Sequence, residues 1–195
     1  DADFQVAQAD GEGRLRPTAE GSYDAAWGVP DLAPGVWVFS DHHWRASHLA
    51  DEGWTEATYD DSAWQAPIVR LRKEFDDSCW HYAAIHKYGR LAQSFEHPAM
   101  ALSLRDDEST WQHVTHFRRV FNLDRAPSAA NLRVYLDDEG EVYLNGSLAA
   151  SLSVDDRVTD LDVTPWLREG LNVMAIQLRN REYDECLCLE LHVAP

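Results

Sequence analysis

The second half of the chain consists of short segments in which apolar and polar residues alternate, separated by residues that favour turns. In the last segment, apolar side chains occupy every second position from Leu187 to Val193. Because successive side chains of a β-strand point to opposite faces, a period of two predicts strands. Many short strands joined by turns are typical of an antiparallel β-sandwich, so the sequence predicts an all-β fold.

The predicted strands are 35–39, 116–123, 131–136, 141–144, 147–154, 158–163, 171–178 and 186–193. Asn145-Gly146 predicts a tight hairpin, since both residue types tolerate a positive φ. Thr164 and Pro165 predict a single helical turn with Thr164 as its cap. The sequence contains no long amphipathic segment that would predict a longer helix.

The predicted domain organisation is a sandwich with two irregular additions. Residues 1–34 are rich in Gly, Ala, Asp and Pro and predict an extended N-terminal arm. The sandwich domain then covers 35–195, and about 65–115 form a long, loop-rich insertion within it. A stretch this long without secondary structure of its own is often functional.

Four motifs in chain order resemble the landmarks of one protein family. They are Gly53-Trp54 with Y-D-D-S-A-W at 59–64, H-F-R-R-V-F-N-L at 116–123, V-Y-L-N-G at 142–146, and D-V-T-P-W-L at 162–167 with G-L-N-V at 170–173. Together they resemble galactose-binding-domain-like jelly rolls, which occur as sugar-binding domains of family 2 glycosidases and accessory domains of bacterial α-L-rhamnosidases. The resemblance implies a jelly-roll β-sandwich. In those families catalysis resides in a different domain, so it also implies an accessory role.

Elementary chemistry explains these landmarks without a ligand. We expect Trp166 and Leu167 to fold back on the core, and the Asn172 amide to satisfy backbone groups at a bend. Residues of this kind build the sandwich, so ligand-binding residues must be sought elsewhere in the sequence.

Two clusters combine the side chains that a sugar requires. An aromatic plane meets the apolar face of a sugar ring, and polar groups meet its hydroxyls. The insertion contains aromatic and histidine side chains, and the segment before the last strand contains a second mixture. The predicted ligand-binding residues are Trp80, Tyr82, Trp111, Arg181, Tyr183 and Asp184. The alternative is that Trp80 and Trp111 anchor the long loop to the core.

Metal and cofactor sites are weaker predictions. The sequence has 9 His, and the ligand-type groups are His42-His43, His48, His113-x-x-His116, Cys79-x-His81 and the alternate positions Cys186, Cys188, Glu190 and His192. None of these spacings matches a closed transition-metal site. We therefore predict no cofactor, with a structural calcium ion in the acidic turns at 137–139 or 155–156 as an alternative. The metal content stays open.

Charge and motif content exclude several functions. The chain has 34 acidic and 17 basic residues and a net charge of −17, which disfavours nucleic acids and anionic membranes. It lacks an apolar run of the roughly 20 residues that a membrane span needs. It also lacks the nucleophile-elbow, zinc-protease and phosphate-loop motifs. With so many acidic residues a carboxylate pair has no diagnostic value, so we predict no catalytic residues and no enzyme activity.

Three functions remain open from the sequence. The first is a non-catalytic carbohydrate-binding module that is secreted or periplasmic, with a glycan as its ligand and a catalytic domain or subunit as its partner. The second is a structural interaction domain that packs on another domain or subunit and binds no sugar. The third is a metal or cofactor protein that uses the His-rich insertion. The three cysteines allow one bridge, from Cys79 to Cys186 or Cys188, or free thiols.

Overall fold

The computed structural model describes residues 7–9, 33–70, 101–104, 113–153, 158–181 and 185–195. These residues form a β-sandwich of two antiparallel sheets, which confirms the predicted fold class. The strands are β1 (Ala7–Ala9), β2 (Gly35–Phe39), β3 (Arg45–Ser47), β4 (Ile68–Arg70), β5 (Ala101–Ser103), β6 (His113–Leu123), β7 (Ala129–Asp137), β8 (Glu139–Leu144), β9 (Ser147–Leu152), β10 (Thr159–Asp162), β11 (Gly170–Asn180) and β12 (Cys186–Ala194). A short 3₁₀ turn covers Thr164–Trp166.

Strand β12 organises the seven-stranded sheet. It pairs with β7 over its whole length, so β2 and β5 share its other edge. Strands β10, β1 and β4 then extend the sheet by pairing with β7, β2 and β5. The five-stranded sheet has the order β3-β6-β11-β8-β9. Because β1 pairs with β2, three residues near the N-terminus belong to the seven-stranded sheet, while the predicted domain boundaries stay a prediction.

The core lies between the facing sides of the two sheets. Phe117 and Phe121 of β6 and Ile176 of β11 are fully buried there, and they face Leu189 and Leu191 of β12 across the sandwich. Each such side chain contributes about 1.5 to 3 kcal/mol relative to full exposure. The predicted alternation along 186–193 therefore places its leucines in the core.

The strands deviate from the predicted ones mainly at their ends. Strand β6 begins at His113 rather than His116, and β11 extends to Asn180. Strands β4 and β5 lie within the loop-rich insertion predicted at about 65–115, and β3 lies between the predicted strands 35–39 and 116–123, where no strand is predicted. Three residues are too few to establish a period, so the sequence gives no signal for them.

The prediction that Thr164 caps the helical turn is wrong. The capping residue is Val163, which makes no side-chain capping bond. Thr164 instead donates its hydroxyl to Asp162 Oδ1 at 2.6 Å and accepts the Ala130 N–H at 2.8 Å. The hydroxyl therefore joins the turn to the start of β7, because an otherwise unpaired backbone donor lies there.

Within the described residues, no helix has the length and apolar character required to cross a bilayer.

Two of the three cysteines, Cys186 and Cys188, are buried at the start of β12. Cys79 lies outside the described residues, so its pairing stays a prediction.

Candidate functional site

One end of the sandwich brings together strand ends from both sheets, and we call it the loop end. Within the seven-stranded sheet, Cys186 lies opposite Asp137, so β12 begins where β7 ends. Within the five-stranded sheet, Asn180 lies opposite His113, so β11 ends where β6 begins. We define the loop end by His48, Leu104, His113, Asp138, Glu139, Arg181 and Glu185.

A buried carboxylate connects the two sheets at the loop end. Oε1 of Glu185 accepts the Leu104 N–H at 2.9 Å, while Oε2 accepts the Thr115 hydroxyl at 2.5 Å and also contacts Nε2 of His113. The Glu185 side chain is 2% exposed. A carboxylate at this depth needs such partners, because an unpaired buried charge is strongly destabilising. Glu185 therefore fixes the ends of β5, β6 and β12 relative to one another.

His48 extends this polar cluster from the end of β3. Its Nδ1 lies 3.2 Å from the Thr115 hydroxyl and 3.2 Å from the Val114 carbonyl oxygen. Its ring contacts the His113 ring edge to face, with 5.2 Å between the ring centres. Hydrogen bonds thus hold the ends of β3, β5, β6 and β12 together at the loop end.

Arg181 is the one predicted ligand-binding residue within the described part of the chain. Its backbone N–H donates to Asp138 at 2.6 Å, and its guanidinium donates to Glu139 at 2.6 Å. Arg179 lies 3.4 Å from the same Glu139 carboxylate. The Arg181 side chain is 59% exposed, so it presents a positioned cation to solvent. The acidic turn considered for calcium thus faces two guanidinium groups, and calcium binding there stays a prediction.

The other predicted ligand-binding residues lie outside the described residues: Trp80, Tyr82, Trp111, Tyr183 and Asp184. The described residues that follow Trp111 and Asp184 most closely in the chain are His113 and Glu185. These two are hydrogen-bonded to each other. This contact joins two described residues that are 72 positions apart in the chain, and the positions of the five other predicted residues stay a prediction.

The histidines within the described residues do not converge on one centre. His113 contacts Glu185, whereas His116 packs against Trp54 on the outside of the five-stranded sheet. Residues three apart on a strand point to opposite faces, which explains the separation. His42 and His43 lie side by side, with 4.0 Å between ring centres. Among the residues described, no group of three or more His, Cys, Asp or Glu could hold a metal ion.

The sequence analysis missed the role of Arg118. This fully buried side chain lies on the outward side of β6 and donates to Asp61 Oδ2 at 2.9 Å, to the Glu56 carbonyl at 3.1 Å and to the Trp54 carbonyl. Its guanidinium also lies 5.1 Å from the ring centre of Tyr59. Arg118 thereby clamps residues 54–61 onto the five-stranded sheet. Two landmarks of the resemblance meet in this contact, so their joint role is structural.

The clamped segment holds a cluster of aromatic rings on the outer face of the five-stranded sheet. Trp54 contacts His116 and Tyr143 edge to face, at 4.8 Å and 5.6 Å between ring centres, and lies beside Trp64 at 6.3 Å. The Tyr143 hydroxyl donates to the Glu141 carboxylate, which raises the pKa of Tyr143 to about 12. Burial lowers the pKa of His116, so its ring is mostly neutral at pH 7.

The opposite end of the sandwich is held by two asparagines. Nδ2 of Asn145 donates to the Trp166 carbonyl at 2.8 Å and to Asn172 Oδ1 at 2.9 Å, while its Oδ1 accepts the Val173 N–H at 3.0 Å. Asn172 donates to the Arg168 carbonyl at 2.7 Å and also to that of Gly170. The expectation that Asn172 satisfies a bend is therefore confirmed.

Comparison with known proteins gives matches at the level of structure. No protein-family model matches the chain, and no curated protein matches it. A glycosyl hydrolase family 2 member from Bacteroides cellulosilyticus is similar over 80% of this chain and 20% of its own, at 14% identity and a TM-score of 0.52. A β-glucuronidase from Bacteroides uniformis is similar over 80% and 18%, at 12% identity and a TM-score of 0.49.

An α-L-rhamnosidase from Streptomyces avermitilis, solved with L-rhamnose, is similar over 39% of this chain and 8% of its own, at 22% identity and a TM-score of 0.37. The match to the family 2 member confirms the fold that the resemblance implied. This chain spans about a fifth of the length of that protein. The region similar to this chain is thus a minor part of that family 2 glycosyl hydrolase.

Proposed function

We propose that this chain is a non-catalytic carbohydrate-binding domain that is accessory to a glycan-active enzyme. The observation that carries the proposal is the β-sandwich itself, which recurs in a family 2 glycosyl hydrolase and accounts for only 20% of that chain. Most of such an enzyme lies outside the region of similarity. A separate catalytic domain or subunit is therefore the partner that we propose for this chain.

The loop end is the proposed sugar-binding site. Arg181 supplies a solvent-exposed donor held in place by Glu139, and Asp184 supplies a second polar group beside it in the sequence. Trp80, Tyr82, Trp111 and Tyr183 are the proposed aromatic surfaces. The hydrogen bonds of Glu185 join it to Leu104 and His113, the described residues on either side of the segment that contains Trp111, and a rigid frame reduces the entropy lost on binding.

The net negative charge of the chain limits which glycans we expect it to bind. A net charge of −17 repels polyanionic glycans over a Debye length of about 8 Å at physiological salt. The proposed ligand is therefore a neutral or weakly charged glycan. A glycan ligand also agrees with a secreted or periplasmic location, which we propose with it.

Calorimetric titration with neutral oligosaccharides tests this proposal. We expect saturable binding that weakens at least about tenfold, or roughly 1.4 kcal/mol, in Arg181→Ala and Trp80→Ala. Arg168→Ala is the matched control, because Arg168 is an exposed arginine at the opposite end of the sandwich. No saturable binding, an unchanged affinity in Trp80→Ala, or hydrolysis of a glycoside by the isolated chain would contradict the proposal.

A structural interaction domain is the second candidate, and two observations favour it. Leu49, next to His48 at the loop end, is 82% exposed and offers an apolar contact for another domain. The five tryptophans within the described residues all serve packing to some degree: Trp37, Trp44 and Trp64 are buried, and Trp54 and Trp166 are half-buried. Acrylamide quenching of wild type, Trp80→Phe and Trp111→Phe separates the two functions, since buried Trp80 and Trp111 would favour packing over sugar binding.

The metal or cofactor function rests only on the His-rich insertion. Elemental analysis of the purified protein tests it directly. Stoichiometric copper, iron or zinc would support this function, and their absence would remove it.

A further inference from the structure

One polar residue from each strand of the five-stranded sheet lies in a single row across that sheet. The strand registers place these residues opposite one another in the order Ser47, His116, Gln177, Glu141 and Ser151. Neighbouring strands are about 4.8 Å apart, so the row is about 19 Å long. That length matches an extended oligosaccharide of several units rather than a single sugar.

The middle of the row lies on the outer face of the sheet. His116, Gln177 and Glu141 are half-buried, whereas their chain neighbours Phe117 and Ile176 belong to the core. Gln177 hydrogen-bonds His116, whose Nδ1 lies 3.3 Å from the Ser47 carbonyl oxygen. An imidazole, an amide and a carboxylate in sequence offer both donors and acceptors, as sugar hydroxyls require.

Two aromatic rings border this row on one side. Tyr143 lies two positions after Glu141 and therefore on the same face of β8. The Trp54 ring contacts the Tyr143 ring edge to face, at an interplanar angle of 71°. Both rings are held in place, because Tyr143 donates to Glu141 and Arg118 clamps the backbone of Trp54. On the other side the row is bordered by the Arg179–Glu139 ion pair.

Trp54 also has an unused polar group. Trp37 and Trp44 donate their indole N–H groups to the carbonyls of Ala33 and Phe39, at 3.0 Å and 2.8 Å. No acceptor among the described residues receives the indole N–H of Trp54, and the Trp54 side chain is only half-buried. A half-buried ring with an unpaired donor is suited to a ligand that has both an apolar face and hydroxyl groups.

We propose that the row and its aromatic border form an extended subsite for a neutral oligosaccharide on the outer face of the five-stranded sheet. Sugar rings would pack against Tyr143 and Trp54, while Gln177, Glu141 and the Trp54 indole N–H would bond their hydroxyls. The proposal rests on the carbohydrate-binding function above but uses none of its loop-end residues. Glu141 supplies a negative charge, so the subsite disfavours anionic sugars.

The test follows the indole resonances of the ¹⁵N-tryptophan-labelled protein by NMR during titration with cellotetraose, mannotetraose and galactotetraose. We expect the Trp54 indole resonance to shift saturably with at least one of them, while that of the buried Trp44 stays in place. No saturable Trp54 shift with any of the three at millimolar concentration would overturn the proposal and would leave this face to a protein neighbour.

Variants separate the two sites. Tyr143→Ala should weaken the Trp54 response at least about tenfold, Tyr143→Phe should retain most of it, and Arg181→Ala should leave it unchanged. Gln177→Ala is a second variant that keeps the proposal testable if Tyr143→Ala fails to fold. A Trp54 response that is lost in Arg181→Ala but kept in Tyr143→Ala and Gln177→Ala would place all binding at the loop end and overturn the subsite.

Discussion

At the scale of single residues, Arg118 is the polar side chain on which the outer face of the five-stranded sheet depends. Its guanidinium has a fixed fork of donors, and the structure uses them on one carboxylate and on backbone carbonyls of a single segment. A buried cation of this kind is retained only where its partners are complete. Removing it would leave those partners unpaired.

We therefore predict that Arg118→Met destabilises the fold by about 3 kcal/mol, since breaking a buried ion pair costs about this amount. Arg118→Lys should recover only part of the loss, because an ammonium group cannot reproduce the fork. The measurement is the free energy of unfolding in urea, with Arg168→Met as the exposed control. A loss no larger than that of the control would show that the clamp is not needed.

The pKa of His116 provides a second prediction at this scale. Burial, to which Trp54 contributes, lowers it below 6.5, so the unfolded chain binds the proton more readily than the folded chain does. Stability should therefore fall as the pH drops below 6.5, and His116→Gln should remove this part of the loss. In an NMR titration, Trp54→Ala should move the pKa of His116 upward. A wild-type value at or above 6.5 would refute the prediction.

At the scale of elements, the turn of the β8–β9 hairpin contains a glycine, Gly146, that has a positive φ and lies against Glu56. Asn145 and Gly146 have φ values of 53° and 83°, and a Cβ on Gly146 would collide with the carboxylate of Glu56. The hairpin thus needs Gly146 for its backbone conformation, whereas the exposed and flexible Glu56 side chain could turn away from a Cβ. These two effects can be separated by mutation.

We predict that Gly146→Ala destabilises the protein by about 1 to 2 kcal/mol from backbone strain, and that the contact with the flexible Glu56 side chain adds a smaller loss. The double variant Gly146→Ala/Glu56→Ala should recover the second part and not the first. Thermal and urea unfolding of the single and double variants measure this coupling. Purely additive effects of the two changes would mean that the contact contributes nothing.

The sequence predicted those elements whose period or turn chemistry is local. The alternation in 171–178 and 186–193 and the Asn145-Gly146 turn each lie within a few residues, so propensity and pattern suffice. Strands β3, β4 and β5 have three residues each and exist because their neighbours pair with them. The local sequence around Thr164 is typical of a helix cap, but a distant residue decides its role. The Thr164 hydroxyl accepts the N–H of Ala130, which is 34 residues away in the chain.

For the candidate site, the sequence predicts which residue types are present but not which of them are in contact. Aromatic and polar residues cluster at 80–88 and 181–184, and this is visible in the sequence. The contact that joins His113 to Glu185 spans 72 residues, and no local pattern indicates it. The row from Ser47 to Ser151 likewise depends on the register of five strands, which tertiary packing sets.

At the scale of the whole molecule, the two proposed binding surfaces adjoin each other. Glu139 bonds Arg181 at the loop end, and through Arg179 it also borders the row on the five-stranded sheet. The electrostatic field of the whole chain acts on a ligand at either surface, because the net charge of −17 far exceeds the charge of the loop end or of the row.

This field gives the last prediction. For the neutral tetrasaccharide that binds, the counterpart oxidised to a carboxylate at C6 should bind at least about tenfold more weakly at low salt. The difference should narrow as salt shortens the Debye length from about 30 Å at 0.01 M to about 8 Å at 0.15 M. Calorimetry with both sugars at the two salt concentrations measures it, and Glu141→Gln separates the local charge from the global one. Equal affinities at low salt, or a preference for the carboxylate, would show that a local cation such as Arg181 outweighs the field of the molecule.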